Sequence, residues 1–285
     1  MSQFRAALVQ MRSTRTIEPN IAAAEALIRE AAGRGAIYVQ TPENTNILEP
    51  DPAALFAALT EEASDPTLKR LRALADELKI WLHVGSLAIR ETETKAANRA
   101  FLIAPDGKIA ARYDKIHLFD VDLANGERFR ESDRVRPGHA AVTYAAPFGV
   151  LGFSICYDMR FPPLYRALAK VGGAQILTAP AAFTRTTGEA HWHVLLRARA
   201  IENGAYMLAA AQGGTHETGR QTYGHSIAID PWGRVIAEAG IDPGVLVFDI
   251  DLEEVARVRG RIPSLQHDRP FTDPDAVAPV QGAAE

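Results

Sequence analysis

From Phe4 onward the chain alternates short apolar runs with stretches of helical period, which leads to an α/β protein whose sheets are buried on both faces. Phe4 to Gln10 and Ala36 to Gln40 read as strands, separated by a helix from near Pro19 to Gly33. Pro19 suits a first helical turn and Gly33 a C-terminal cap. A second helix is expected over Pro66–Leu78, N-capped by Asp65, because Leu68, Leu71, Leu74, Ala75 and Leu78 recur at helical spacing. A strand over 81–87 follows, then strands over 99–104 and 109–113 around the hairpin signal Pro105-Asp106-Gly107.

The second half repeats this grammar. Strands are expected over 150–155, 174–179 and 206–211, with helices over 162–171 and about 189–202. A second hairpin, 226–229 with 234–237, turns at Pro231-Trp232-Gly233. Two such halves point to a duplicated α/β unit. No Pro/Gly/Ser-rich linker divides them, so one domain is expected over 1–273. A loose Ala/Pro/Gly-rich tail, or one ordered against a partner subunit, is expected over 274–285.

Composition narrows the function classes. Among 285 residues the net charge is −4 with scattered basic residues, which gives no footprint for nucleic acid. No apolar run reaches membrane-spanning length, and the N-terminus shows no basic leader. With a single cysteine there is no internal disulfide, which suits a reducing, cytoplasmic setting. That cysteine then needs another reason to be present.

Cys156 ends the apolar run Gly152-Phe153-Ser154-Ile155, and Pro162 opens a helix soon after. Such a strand-to-helix turn projects a side chain from the strand's C-terminal edge, where α/β ligand sites lie, and brings backbone N–H groups near the sulfur. The competing reading is a buried cysteine acting as a small hydrophobe. A thiol nucleophile needs a base or a neighbouring cation. None of the histidines has a context that singles it out, and His191 and His193, two apart on a helix, diverge. No metal-ligand cluster is legible. Glu43, after Thr41-Pro42, sits at another strand exit, and Lys115 follows the strand ending Tyr113-Asp114. Their alternatives are a surface loop charge and a lysine that snorkels to solvent.

Taken together, these segments resemble the nitrilase (carbon–nitrogen hydrolase) superfamily. The motifs are Pro42-Glu43-Asn44, Tyr113-Asp114-Lys115-Ile116-His117-Leu118-Phe119-Asp120 and Ile155-Cys156-Tyr157-Asp158-Met159-Arg160-Phe161-Pro162. Pro180-Ala181-Ala182-Phe183-Thr184, Ala210-Ala211-Gln212 and Tyr223-Gly224-His225-Ser226 resemble the Nit-type branch, which includes deaminated-glutathione amidases. The resemblance runs from Val9 to Pro270.

It implies a four-layer α-β-β-α sandwich that pairs with a second subunit as a homodimer. It also implies Cys156 as nucleophile, Glu43 as general base, and Lys115 with the Tyr157 N–H as stabilisers of the tetrahedral intermediate. Glu131 would position the substrate and Lys115. The implied reaction is hydrolysis of a small linear amide through a thioester, without metal or cofactor. Deaminated glutathione or a similar ω-amide of a 2-oxo acid is the expected substrate. A nitrile or N-carbamoyl amide is the alternative, and a non-catalytic dimeric scaffold a third. A Glu43 that serves in turn as base and acid is expected to have its pKa raised by burial. Phe183, Thr184 and Arg160 are candidate substrate contacts; Arg160 would hold a carboxylate, or else an internal salt bridge.

Overall fold

The computed structural model describes residues 2–123 and 126–274. Its first half comprises β1 (Gln3–Gln10), α1 (Ile17–Gly33), β2 (Tyr38–Gln40), α2 (Pro52–Ala58), α3 (Pro66–Leu78), β3 (Trp81–Arg90), β4 (Ala96–Ile103) and β5 (Ile109–Asp114). The hairpin β6 (Asp120–Asp122) and β7 (Arg128–Arg130) follows, then β8 (Thr143–Ala146), β9 (Gly149–Gly152), α4 (Pro162–Lys170), β10 (Ile176–Thr178), α5 (Arg185–Asn203) and β11 (Tyr206–Ala209). A second hairpin, β12 (Gly213–Thr215) and β13 (Gln221–Tyr223), precedes β14 (Ile227–Ile229), β15 (Val235–Glu238), β16 (Gly244–Asp251) and α6 (Leu252–Arg261).

Two six-stranded sheets form, in the orders β16-β1-β2-β3-β4-β5 and β15-β14-β11-β10-β9-β8. In the first, β1, β2 and β3 run parallel, flanked by antiparallel β16 on one side and the antiparallel pair β4 and β5 on the other. In the second, β9, β10 and β11 are parallel, flanked by antiparallel β8 and by β14 and β15. The duplication is therefore one of topology, strand for strand.

Strand alternation builds the layers. Ala6 and Leu8 of β1 face the other sheet, in a core with Leu151, Leu177, Met207 and Ile229. Ala7 and Val9 face outward into a second core with Ala24 and Ile28 of α1 and Leu71 and Leu74 of α3. Trp192 and Leu196 of α5 and Leu164 of α4 join the core on the other sheet's side. The result is helix, sheet, sheet, helix. Buried amides stitch the two sheets together: the Ala210 N–H donates to Gln40 Oε1 and the Ser226 N–H to Gln10 Oε1, both at 2.9 Å.

Element bounds differ from the sequence reading where tertiary contacts decide them. The first helix begins at Ile17, and Gly35 rather than Gly33 takes the positive φ, +87°. Residues 153–155 leave the β9 ladder, with the Ser154 hydroxyl bonded to the Thr178 carbonyl at 2.7 Å. α2, β16 and α6 were not anticipated. Most of the expected tail, 275–285, lies outside the described residues.

Candidate active site

Strand ends deliver the candidate reactive groups. Glu43 leaves the C-terminal end of β2, and its carbonyl accepts from Gln212 Nε2 at 3.0 Å. Gly85 makes this loop possible: a Cβ there would lie 2.0 Å from the Thr41 carbonyl oxygen and 2.5 Å from Pro180 Cβ. Two proline-bearing strand exits, one per sheet, thus meet over a residue with no side chain. Lys115 leaves β5, with its N–H bonded to the Asn98 carbonyl at 3.0 Å. Cys156 opens a short 3-10 turn with φ +49°, a left-handed conformation that non-glycine residues rarely adopt. Its N–H is held by the Pro180 carbonyl at 2.9 Å.

Asp158 fixes that turn. Fully buried, it accepts from the Tyr113 hydroxyl (2.7 Å), the Ile155 N–H (2.9 Å) and the His117 N–H (2.9 Å), and it meets His117 Nδ1 at 2.7 Å. Tyr113 and His117 flank Lys115 in the chain. One carboxylate therefore ties the cysteine turn to the lysine segment.

At the centre, Lys115 Nζ lies 2.9 Å from Glu43 Oε1 and 3.0 and 2.8 Å from the two oxygens of Glu131. Lys115 is 2% exposed and Glu43 3%. Asn98 Nδ2 bridges the carboxylates, donating to Glu43 Oε1 (2.9 Å) and Glu131 Oε1 (3.0 Å). The Ala182 N–H donates to Glu43 Oε2 at 2.8 Å, and the Phe119 N–H to Glu131 Oε2 at 2.7 Å. A carboxylate has about four acceptor positions. Three on Glu43 are used, and the remaining interaction is with the Cys156 thiol.

Electrostatics set the resting charges. Burial alone would push the Glu43 carboxyl up, but the Lys115 charge and its hydrogen bond outweigh it, leaving Glu43 below the usual range. This corrects the expectation of a raised pKa: a buried acid rises only when no cation shares its site. Burial likewise works against the Lys115 ammonium, yet Glu131 and Glu43 hold it well above its ordinary value. The Cys156 thiol is pushed far up by burial and then by the Glu43 charge. The resting site is therefore a neutral thiol beside a carboxylate and an ammonium.

A cleft of about 590 Å³ opens onto these groups, and Glu43, Lys115, Glu131, Cys156, Tyr157, Phe183 and Thr184 all line it. Arg160 is not among the lining residues; its guanidinium stands over the Tyr157 and Phe183 rings and meets His191 Nδ1 at 3.2 Å. No internal salt bridge to Arg160 is present among the described residues, where its polar partner is His191.

Asn98, Asp158, Phe119, Phe129 and Arg220 were not singled out from the sequence as site residues. For Asn98 a signal existed: a polar side chain in an apolar strand. For Arg220 there was none, since it sits in a turn whose path no pattern reveals. His191 and His193 do diverge, but His193 Nε2 and His225 Nδ1 both meet Glu238 Oε1, at 2.9 and 2.8 Å. That cluster lies outside the residues lining the cleft. No helix among the described residues is long and apolar enough to cross a membrane.

Comparison with known proteins agrees with this geometry. Residues 5–260 match the carbon-nitrogen hydrolase family. A deaminated glutathione amidase of Synechocystis sp. is 42% identical over 271 residues, covering 94% of this chain and 98% of that protein. The omega-amidase of Homo sapiens is 37% identical over 269 residues, covering 94% of this chain and 96% of its own length. The crystal structure of the C. elegans NitFhit protein superposes with a TM-score of 0.88 at 37% identity, covering 94% of this chain and 66% of that one. The chain belongs to the carbon–nitrogen hydrolase family and is an enzyme that hydrolyses carbon–nitrogen bonds.

Proposed function

We propose that this enzyme hydrolyses a small linear amide to a carboxylate and an amine or ammonia through a thioester on Cys156. The observation that carries the reading is the buried contact of Lys115 with both Glu43 and Glu131 beside the one thiol of the chain. Because the thiol's pKa is high and that of Glu43 is low, a thiolate does not accumulate at rest. The proton passes to Glu43 as sulfur bonds to the amide carbon.

Charge then develops on the former carbonyl oxygen. Lys115 exchanges one of its two Glu131 contacts for it, and the Tyr157 N–H, which has no partner among the described residues, donates to it. One such donor contributes about 3 kcal/mol to the transition state. Glu43 returns its proton to the departing nitrogen, then activates water against the thioester. Glu131 holds Lys115 between these steps, while Phe183 and Thr184 face the substrate and Arg160 backs the Tyr157 and Phe183 rings. No cofactor enters the scheme.

The substrate proposed is deaminated glutathione or a related ω-amide of a 2-oxo acid, the activity named for the relatives above. A homodimer is proposed from exposed apolar side chains of α5 and of the hairpin that ends in edge strand β15: Val194, Ile201, Trp232, Val235 and Ile236. A reducing cytoplasmic setting suits the single free thiol. The test is product release from deaminated glutathione, 2-oxoglutaramate, simple nitriles and N-carbamoyl amino acids. Turnover of the first two, lost in Cys156→Ala, is expected. Turnover confined to nitriles or carbamoyl compounds, or unaffected by Cys156→Ala, refutes it.

A further inference from the structure

Arg220 follows the β12 strand in the turn to β13, and its side chain enters the cleft. Nη2 donates to the Ala182 carbonyl at 2.9 Å, and the guanidinium carbon stands 5.6 Å from the centre of the Phe129 ring. Nε is shielded from solvent and has no hydrogen-bond partner. Among the described residues no carboxylate lies within ion-pair distance of this guanidinium. Of the other arginines lining the cleft, Arg128 and Arg130 both pair with Asp122, and Arg134 donates to the Pro50 carbonyl at 2.9 Å. A partly buried guanidinium with a shielded donor unused and no counter-ion is costly unless a ligand offsets its charge.

The charge of the site points the same way. Glu43, Glu131 and Lys115 together carry one net negative charge, which repels an anion. Arg220 restores neutrality at the cleft wall, and its planar fork suits a carboxylate. Ala182 sets the distance, since its N–H serves Glu43 at 2.8 Å and its carbonyl accepts from Arg220 at 2.9 Å. Base and guanidinium therefore flank one residue, at most about 10 Å apart. That separation suits an acid group a few bonds from the scissile carbonyl.

We infer that Arg220 is the anion anchor of the cleft, receiving a carboxylate of the amide substrate so that the enzyme selects anionic over neutral linear amides. The inference deepens the amidase reading above and rests on it. Burial depresses the Arg220 pKa, and the charge of a bound carboxylate offsets that penalty.

The experiment compares kcat/KM for 2-oxoglutaramate with that for its methyl ester, in wild type, Arg220→Met and Arg220→Lys. The anion-to-ester ratio should fall about 100-fold in Arg220→Met and about 10-fold in Arg220→Lys, which keeps the charge and loses the fork. A ratio within about twofold of wild type in both variants overturns the inference, even with turnover intact. Should Arg220→Met fail to fold by thermal melting, Arg220→Lys decides alone. Binding separates the two readings. In a Cys156→Ala background, calorimetry with 2-oxoglutarate should show affinity at least tenfold weaker on Arg220→Lys. That loss without turnover of any amide by wild type would sink the amidase reading and leave the anchor standing. Equal affinity would remove the anchor.

Discussion

Glu43, Lys115, Glu131 and Asn98 act as one electrostatic unit, and pH reads it out. Glu43 titrates below the usual glutamate range and the Cys156 thiol well above its own. The kcat/KM profile is therefore expected to stay level from about pH 5 to about pH 9, with no rising limb near the ordinary thiol pKa. A limb centred near pH 8 would show that a preformed thiolate attacks. The same depressed Glu43 pKa stabilises the fold above the unfolded-state value and is lost as pH falls through the folded one. Asn98→Asp places a third carboxylate beside two others. It should raise the Glu43 pKa, move the acid limb of the profile upward and lower kcat/KM at least tenfold. Asp158→Ala strands the Tyr113 hydroxyl and the Ile155 and His117 N–H groups, at a cost of about 3 kcal/mol or more in urea unfolding. Glu43, Lys115 and Cys156 stood out because each follows a strand-like run and lies in a motif that resembles a known family. Their helpers did not, because Asn98 and Asp158 act through contacts between segments far apart in sequence.

At the scale of elements, local chemistry was readable and long-range pairing was not. Asp65-Pro66 marked α3 correctly, and Asp65 does accept from the Leu68 N–H at 2.7 Å. Asp51-Pro52 carries the same signature, with the Ala54 N–H on Asp51 at 2.7 Å. Yet α2 has seven residues and only Leu55 buried, too short to show a period. Asp65→Ala should destabilise the protein by about 1 kcal/mol in thermal or urea unfolding. An unchanged melting curve would mean that burial of α3 makes its cap dispensable. β16 went unread because its place is set by β1, with which it pairs from Gln3↔Asp251 to Gln10↔Gly244. Nothing within 244–251 declares that a strand late in the chain completes the first sheet.

Across the whole molecule, the two sheets face each other so that β2 and β10 end side by side, and the site exists only where both meet. Gly85→Ala tests that dependence: its methyl would overlap the Thr41 carbonyl and Pro180 at once. The substitution should remove activity and lower the melting temperature by several degrees, whereas an active, stable variant would refute the crossing described here. The duplicated topology was foreshadowed by the repeated strand–helix grammar; the interlock of the halves was not, because it depends on which faces meet. The central claim is that carbon–nitrogen cleavage passes through a covalent bond to the sulfur of the single cysteine. Rapid acid quench during turnover of 2-oxoglutaramate, followed by peptide mass spectrometry, measures this directly. The account predicts an acyl group on Cys156, and its absence during measurable amide turnover would contradict it.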